Sequence, residues 1–232
     1  MSVVERSDRT TTATTAPVVS VVLDAVGVDD MCARLAQVGQ SLTGAVRVVV
    51  LRSDPAGDFG PVDSDAAGAA DLARRAEAVG WLRRPDLISV AAVGGRAIGA
   101  GLEVALACDL RIVSVDAELA VSLAPGALPT ALGSAGRLVE AVGYSRALEL
   151  TITGRRLSGR QAVELGLANL AVQPGDLDDA VTDLISAVLA MPRAPVAEAK
   201  ALLSAAAVDP IRAAGNIVDE TAAAARLHAG QE

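Results

Sequence analysis

Aromatic side chains are almost absent: Trp81, Tyr144 and Phe59 are the only three in 232 residues. With 52% of the chain hydrophobic, chiefly Ala, Val and Leu, the core must be packed with small aliphatic groups. There is a single histidine, His228, near the C-terminus. A Ser-His-Asp or Cys-His nucleophile, or a zinc centre with imidazole ligands, would need that residue to fold back into the core, and chain ends fray. A serine hydrolase is set aside on this ground. Cys32 and Cys108 stand alone, without metal-ligand spacing, and Cys108 falls in an apolar run where it reads as packing. No metal site is expected. Lys200 is the one lysine among twenty basic residues, an arginine bias of the kind a GC-rich genome produces. The net charge of −8 argues against a nucleic-acid partner. The N-terminal residues lack a charged-then-apolar signal pattern, so the expected location is cytoplasmic. Residues 88–108 are apolar enough to suggest a membrane span, but Arg96, Glu103 and several glycines interrupt them, and a buried core element is the reading adopted.

What is present centres on residues 88–112, ISVAAVGGRAIGAGLEVALACDLRI. The β-branched run 88–93 predicts a buried strand, Gly94 and Gly95 end it, and 102–108 predicts a buried helix. Gly99, Ala100 and Gly101 at the helix start let a ligand approach the backbone closely. The first amides of a helix lack intrahelical partners and sit at the positive end of its dipole. They offer a resting place for a negative oxygen, and Glu103, within a turn of them, is a candidate general base. Glycine-rich strand-to-helix turns are common in α/β proteins, so spacing alone leaves the site open. The intervals are not those of G-x-G-x-x-G, which excludes a dinucleotide fingerprint.

In chain order, residues 1–16 are Thr-rich and aperiodic and are expected to be disordered. Strands are predicted at 17–23, 46–51, 110–113, 117–121 and 170–172. Helices are predicted at 29–42, with Asp29 as cap, at 63–82, and at 131–142 and 144–150, split by Gly143. Ser158 is expected to cap a helix over 159–164 that ends before Gly166. The last three helices are placed at 176–190, 195–206 and 210–227. Strands alternating with helices mean an α/β fold, with a tail at 1–16, a core at 17–173 and a helical packing or oligomer region at 174–232.

From about residue 46 to 172 the chain resembles the crotonase (enoyl-CoA hydratase/isomerase) superfamily. The segments GRAIGAGLEVALACDLRI, GSAGRL and ALELTITGRRLSGRQAVELGL carry the match, and their order and spacing run without gaps from Gly95 to Leu167. The resemblance implies a ββα spiral core, C-terminal helices that build homotrimers or paired trimers, and an acyl-CoA thioester ligand, with coenzyme A part of the substrate and no other cofactor. It implies two backbone N–H groups that hold the thioester oxygen as enolate-like charge develops. The second donor maps onto Ala100. The first maps onto Pro61, which has no N–H, if the loop is anchored on Phe59; anchored on Asp63 it falls on Gly60. Substrate contacts map onto Phe59, Val62, Gly99, Leu123 and Leu128, and Arg96 is a cation available to CoA phosphates.

Hydratases of this family set two glutamates across the enoyl double bond. The first maps onto Glu103 and the second onto Leu123, with no acid between Glu118 and Glu140 to replace it. An Arg/Lys-x-Asn-Ala-Leu turn that helps hold the nucleotide in relatives is missing after the first strands. Two readings follow: a nominal enoyl-CoA hydratase, a lyase of fatty-acid metabolism working through an oxyanion hole and one glutamate, or an acyl-CoA-binding or accessory subunit without hydratase activity.

Overall fold

The structure is a computed structural model that describes residues 3–7, 10–15, 17–23, 27–53, 57–61, 69–121, 132 and 134–208. Strands β1 (Val3–Ser7), β2 (Thr10–Thr15) and β3 (Val18–Val22) come first, then helix α1 (Val28–Ser41), β4 (Val48–Arg52) and α2 (Ala69–Gly80). Next are β5 (Ile88–Val93), β6 (Arg96–Ile98), α3 (Ala100–Ala107), β7 (Leu110–Ser114) and β8 (Glu118–Ala120). The chain continues through α4 (Ala135–Val142), α5 (Tyr144–Thr153), β9 (Leu157–Ser158), α6 (Gly159–Glu164) and β10 (Leu170–Val172). It then enters α7 (Leu177–Ala190) and α8 (Arg193–Val208).

Seven strands form one sheet in the order β1-β2-β3-β4-β5-β7-β10, parallel from β3 onward. A small second sheet, β6-β8-β9, stands beside the central turn. Strands β4 and β5 are buried on both faces and so read as continuous apolar runs rather than alternating ones. Val49, Leu51, Ala91 and Val93 face the main core with α1 and α3. Val48, Val50, Val90 and Ala92 face the other way, onto Val181 of α7. Arg47 fixes the far end of α7 by donating to the carbonyls of Val188, Leu189 and Met191, a cation where the helix dipole is negative.

Several expectations are corrected. Part of the Thr-rich stretch expected to be disordered forms the antiparallel pair β1–β2, which extends the sheet through β3. Thr is β-branched and suits a pleated edge despite its polarity. Asp29 does not cap α1. Gly27 holds the cap position, and Asp29 accepts from Arg75 of α2 at 2.8 Å instead. The helix expected from 131 starts at Ala135. The central helix starts at Ala100, two residues early, and a short strand, β6, occupies what was read as turn. Ser158 does cap α6, in a reciprocal capping box with Gln161, and Gly166 follows with φ +84°. The predicted parts 63–68 and 210–227 lie outside the described residues.

Candidate active site

Helix α3 is apolar all round, so it is buried all round: every residue from Ala100 to Ala107 is inside. Its start is pinned by two neighbours. Gly99 breaks the chain out of β6 with φ +57°, and its N–H donates to the Ala120 carbonyl of β8 at 3.1 Å. The loop Phe59–Gly60–Pro61 lies directly against the first turn: Phe59 N–H donates to the Arg96 carbonyl at 2.7 Å, and Gly101 N–H donates to the Pro61 carbonyl at 3.1 Å. Gly60 turns there with φ +75°. Among the described residues, neither the Ala100 nor the Gly60 amide has an acceptor. Pro61 brings a carbonyl to this place and no N–H.

Glu103 is only 6% exposed. A buried carboxylate must be hydrogen-bonded. Its Oε2 accepts from the Leu132 N–H and from the Ser134 hydroxyl, both at 2.8 Å. Glu103 lines a cavity of about 40 Å³ together with Gly99, Leu102, Leu106, Val121 and Ser134. That volume takes water-sized groups beside the acid. Phe59 is fully buried in the main core. Val62, Leu123 and Leu128, assigned to substrate contact by the resemblance, lie outside the described residues.

Arg96 of β6 is half exposed, in a two-pronged pair with Asp58 at 2.7 Å for each bond. Arg155 pairs with Glu149 and Arg156 with Glu118, so these basic residues each meet an acid. Leu106 also lines a wider cavity of about 490 Å³ at the far end of α3. The acids of that cavity are committed: Asp109 accepts from Lys200 and Ser89, and Glu140 pairs with Arg83. Arg111 there donates to the Ala105 and Cys108 carbonyls at the end of α3, and burial lowers its pKa. Among the described residues no cluster of His, Cys, Asp and Glu could hold a metal ion. None of their helices is long and apolar enough to cross a membrane alone.

The family model for enoyl-CoA hydratase/isomerase matches residues 23–222. The chain belongs to the enoyl-CoA hydratase/isomerase family. Among solved relatives, a Thermobifida fusca YX protein named as an enoyl-CoA hydratase, in complex with CoA, is 32% identical. The likeness covers 96% of this chain and 93% of that one, with a TM-score of 0.85. The same relative in complex with acetoacetyl-CoA is 34% identical over 94% of each chain, with a TM-score of 0.83. A mouse protein, enoyl-CoA hydratase domain-containing protein 2, mitochondrial, is 45% identical over 112 residues, 47% of this chain and 38% of its own length. The chain thus spans about two fifths of that curated relative. In this crotonase, Glu103, Ala100 and the glycine turn, singled out from the sequence, lie together at the start of α3. The Leu132 N–H and the Ser134 hydroxyl that hold the acid were not singled out. The signal for them was weak: Ser134 and Arg137 are the polar residues between apolar Leu132 and Leu138 around the start of α4.

Proposed function

We propose that this crotonase binds an acyl-CoA thioester and acts, as a nominal enoyl-CoA hydratase, through one carboxylate. The observation that supports it is the buried Glu103 beside a cavity at the amino end of α3. In this reading the thioester oxygen rests on the Ala100 N–H, with the Gly60 amide of the neighbouring loop as the second donor. With Leu123 in place of a second acid, the usual two-carboxylate route is closed. A single carboxylate completes the addition by carrying one proton. Glu103 takes a proton from water as the water oxygen bonds to Cβ, and the C=C electron pair shifts towards the thioester oxygen. Glu103 then returns that proton to Cα as the enolate collapses. A positioned general acid or base typically contributes on the order of 10²–10⁴ in rate, so with one carboxylate turnover below that of a two-acid hydratase is expected.

A relative solved with CoA and with acetoacetyl-CoA supports the ligand class. Arg96 is proposed at the nucleotide end, where a phosphate would compete with Asp58 for it. Assembly as a homotrimer, or as paired trimers, belongs to the same reading. Tyr144, Ile152 and Leu203 are large apolar groups 66–71% exposed, and a partner subunit would cover such a surface. A cytoplasmic location is proposed on the sequence alone.

A second reading is an acyl-CoA-binding subunit without turnover, favoured by the Pro61 carbonyl at the loop position. Titration with acetoacetyl-CoA by calorimetry and a crotonyl-CoA hydration assay separate the two. The enzyme reading expects binding and turnover, with turnover lost in Glu103→Gln and binding kept. Binding without turnover establishes the second reading, and no binding overturns both.

A further inference from the structure

Ser134 occupies the N-cap position of α4, where a serine ordinarily accepts a hydrogen bond from an amide of the first turn. Here it does not: the helix has no side-chain cap, and Ser134 backbone angles are φ −86° and ψ 0°. The hydroxyl turns inward, is 5% exposed, and donates to Glu103 Oε2 at 2.8 Å. The Leu132 N–H donates to the same oxygen, so two donors two residues apart converge on one atom. Both belong to the segment that leads into α4, and the Ser134 carbonyl anchors it by accepting from Leu138 N–H at 3.0 Å.

From this geometry we infer that Ser134 is a positioning residue for the reaction, setting the plane of the Glu103 carboxylate. One donor on a carboxylate oxygen leaves the group free to swing about its last torsion, which is broad. A second donor on the same oxygen, from a different direction, removes that freedom. Oε1 is then placed by the backbone of the α4 entry and not by solvent. Both bonds are charge-assisted and sit in a low-dielectric interior, where such donors are strongest. Ser134 is itself among the residues that line the cavity beside Glu103. Arg137 of α4, half-buried, also interacts with Glu103 through its charge.

This inference rests on Glu103 as the working carboxylate, and the test keeps the two apart. Hydration of crotonyl-CoA is measured for the wild type, Ser134→Ala, Ser134→Thr, Glu103→Gln and the Ser134→Ala/Glu103→Gln pair, with acetoacetyl-CoA affinity and thermal midpoint for each. Misplacing a catalytic group costs on the order of 10²-fold. Ser134→Ala is expected to lower kcat by about 10- to 100-fold while the affinity stays within about twofold. The double variant should lose no more than Glu103→Gln alone, since the hydroxyl acts only through the acid. Ser134→Thr should recover most of the loss. A wild type that turns over and a Ser134→Ala variant that matches it overturn the inference and leave Glu103 standing. So does a loss seen only in affinity, or one that adds in full to that of Glu103→Gln. A wild type without turnover overturns this inference together with the enzyme reading on which it rests.

Discussion

Gly101 donates its amide to the Pro61 carbonyl, and a β-carbon on Gly101 would fall well under 3.0 Å from the Phe59 carbonyl oxygen. The loop and the helix start are therefore a single object, and the absence of a side chain at Gly101 is what lets them meet. The obstacle would be backbone, which cannot rotate aside. Gly101→Ala is expected to lift residues 59–61 away from Ala100 and to abolish acetoacetyl-CoA binding by calorimetry. Wild-type affinity in that variant would show that the loop takes no part in the site.

Gly60 carries the second constraint. At φ +75° an L-residue is strained, at a cost of roughly 1–2 kcal/mol, and its β-carbon would also press on Met31 Sδ at 3.1 Å. Met31 is a flexible side chain and can yield; the backbone angle cannot. Gly60→Ala should lower stability by about that amount in urea denaturation and weaken thioester binding, while retaining a folded chain.

The two thiols give a pH signature. Burial pushes Cys32 up to about 11 and Cys108 up to about 12, against an ordinary 9.0. Between pH 9 and those raised values, the folded chain keeps protons that the unfolded chain has lost. Their contribution to stability is thus complete below pH 9 and is lost as pH climbs through 11 to 12. Lys200 acts in the opposite sense, because burial lowers its pKa from 10.5. Replacing both cysteines by alanine isolates the thiol share: the urea midpoint should then fall less steeply above pH 9. A thiol-specific reagent should leave both residues unmodified until the chain is unfolded.

Lys200, the only lysine, is structural. Its ammonium donates to Asp109 Oδ2 and to the Leu87 carbonyl, each at 2.7 Å, tying α8 to the strand ends beneath it. Its side chain is 8% exposed and that of Asp109 is 16% exposed. Removing one partner of such a pair strands the other. Lys200→Met should cost about 3 kcal/mol, read from the urea midpoint. Adding Asp109→Asn should return part of that loss, because the stranded charge is then gone.

Much of the fold was legible from pattern alone. The runs at 46–51 and 88–93 are apolar and β-branched because both faces of their strands are covered, and the motif from Gly95 to Leu167 named the family before any coordinates. Local chemistry also settled the Ser158 cap, whose partner Gln161 lies three residues away. Asp29 failed by the same rule that Ser158 obeyed, because Arg75, forty-six residues on, competes for its carboxylate and prevails. Strands β1 and β2 were missed because Thr is polar in composition but β-branched in shape, and pairing with β3 decides between those properties.

The acid itself could be picked from the chain, since Glu103 is a lone charge in an apolar helix beside a glycine turn. Its surroundings could not. Leu132 and Ser134 are some thirty residues away, and nothing in their local spacing says that both donate to one oxygen. The sequence determined the elements, the small-residue core and the candidate base, because these follow from periodicity and residue type within a few turns of chain. Only the tertiary structure decided which amides stay uncommitted, which hydroxyl abandons its cap, and which arginines meet an acid. Those are outcomes of competition among distant partners for the same hydrogen bonds, and only the packed fold brings the competitors together.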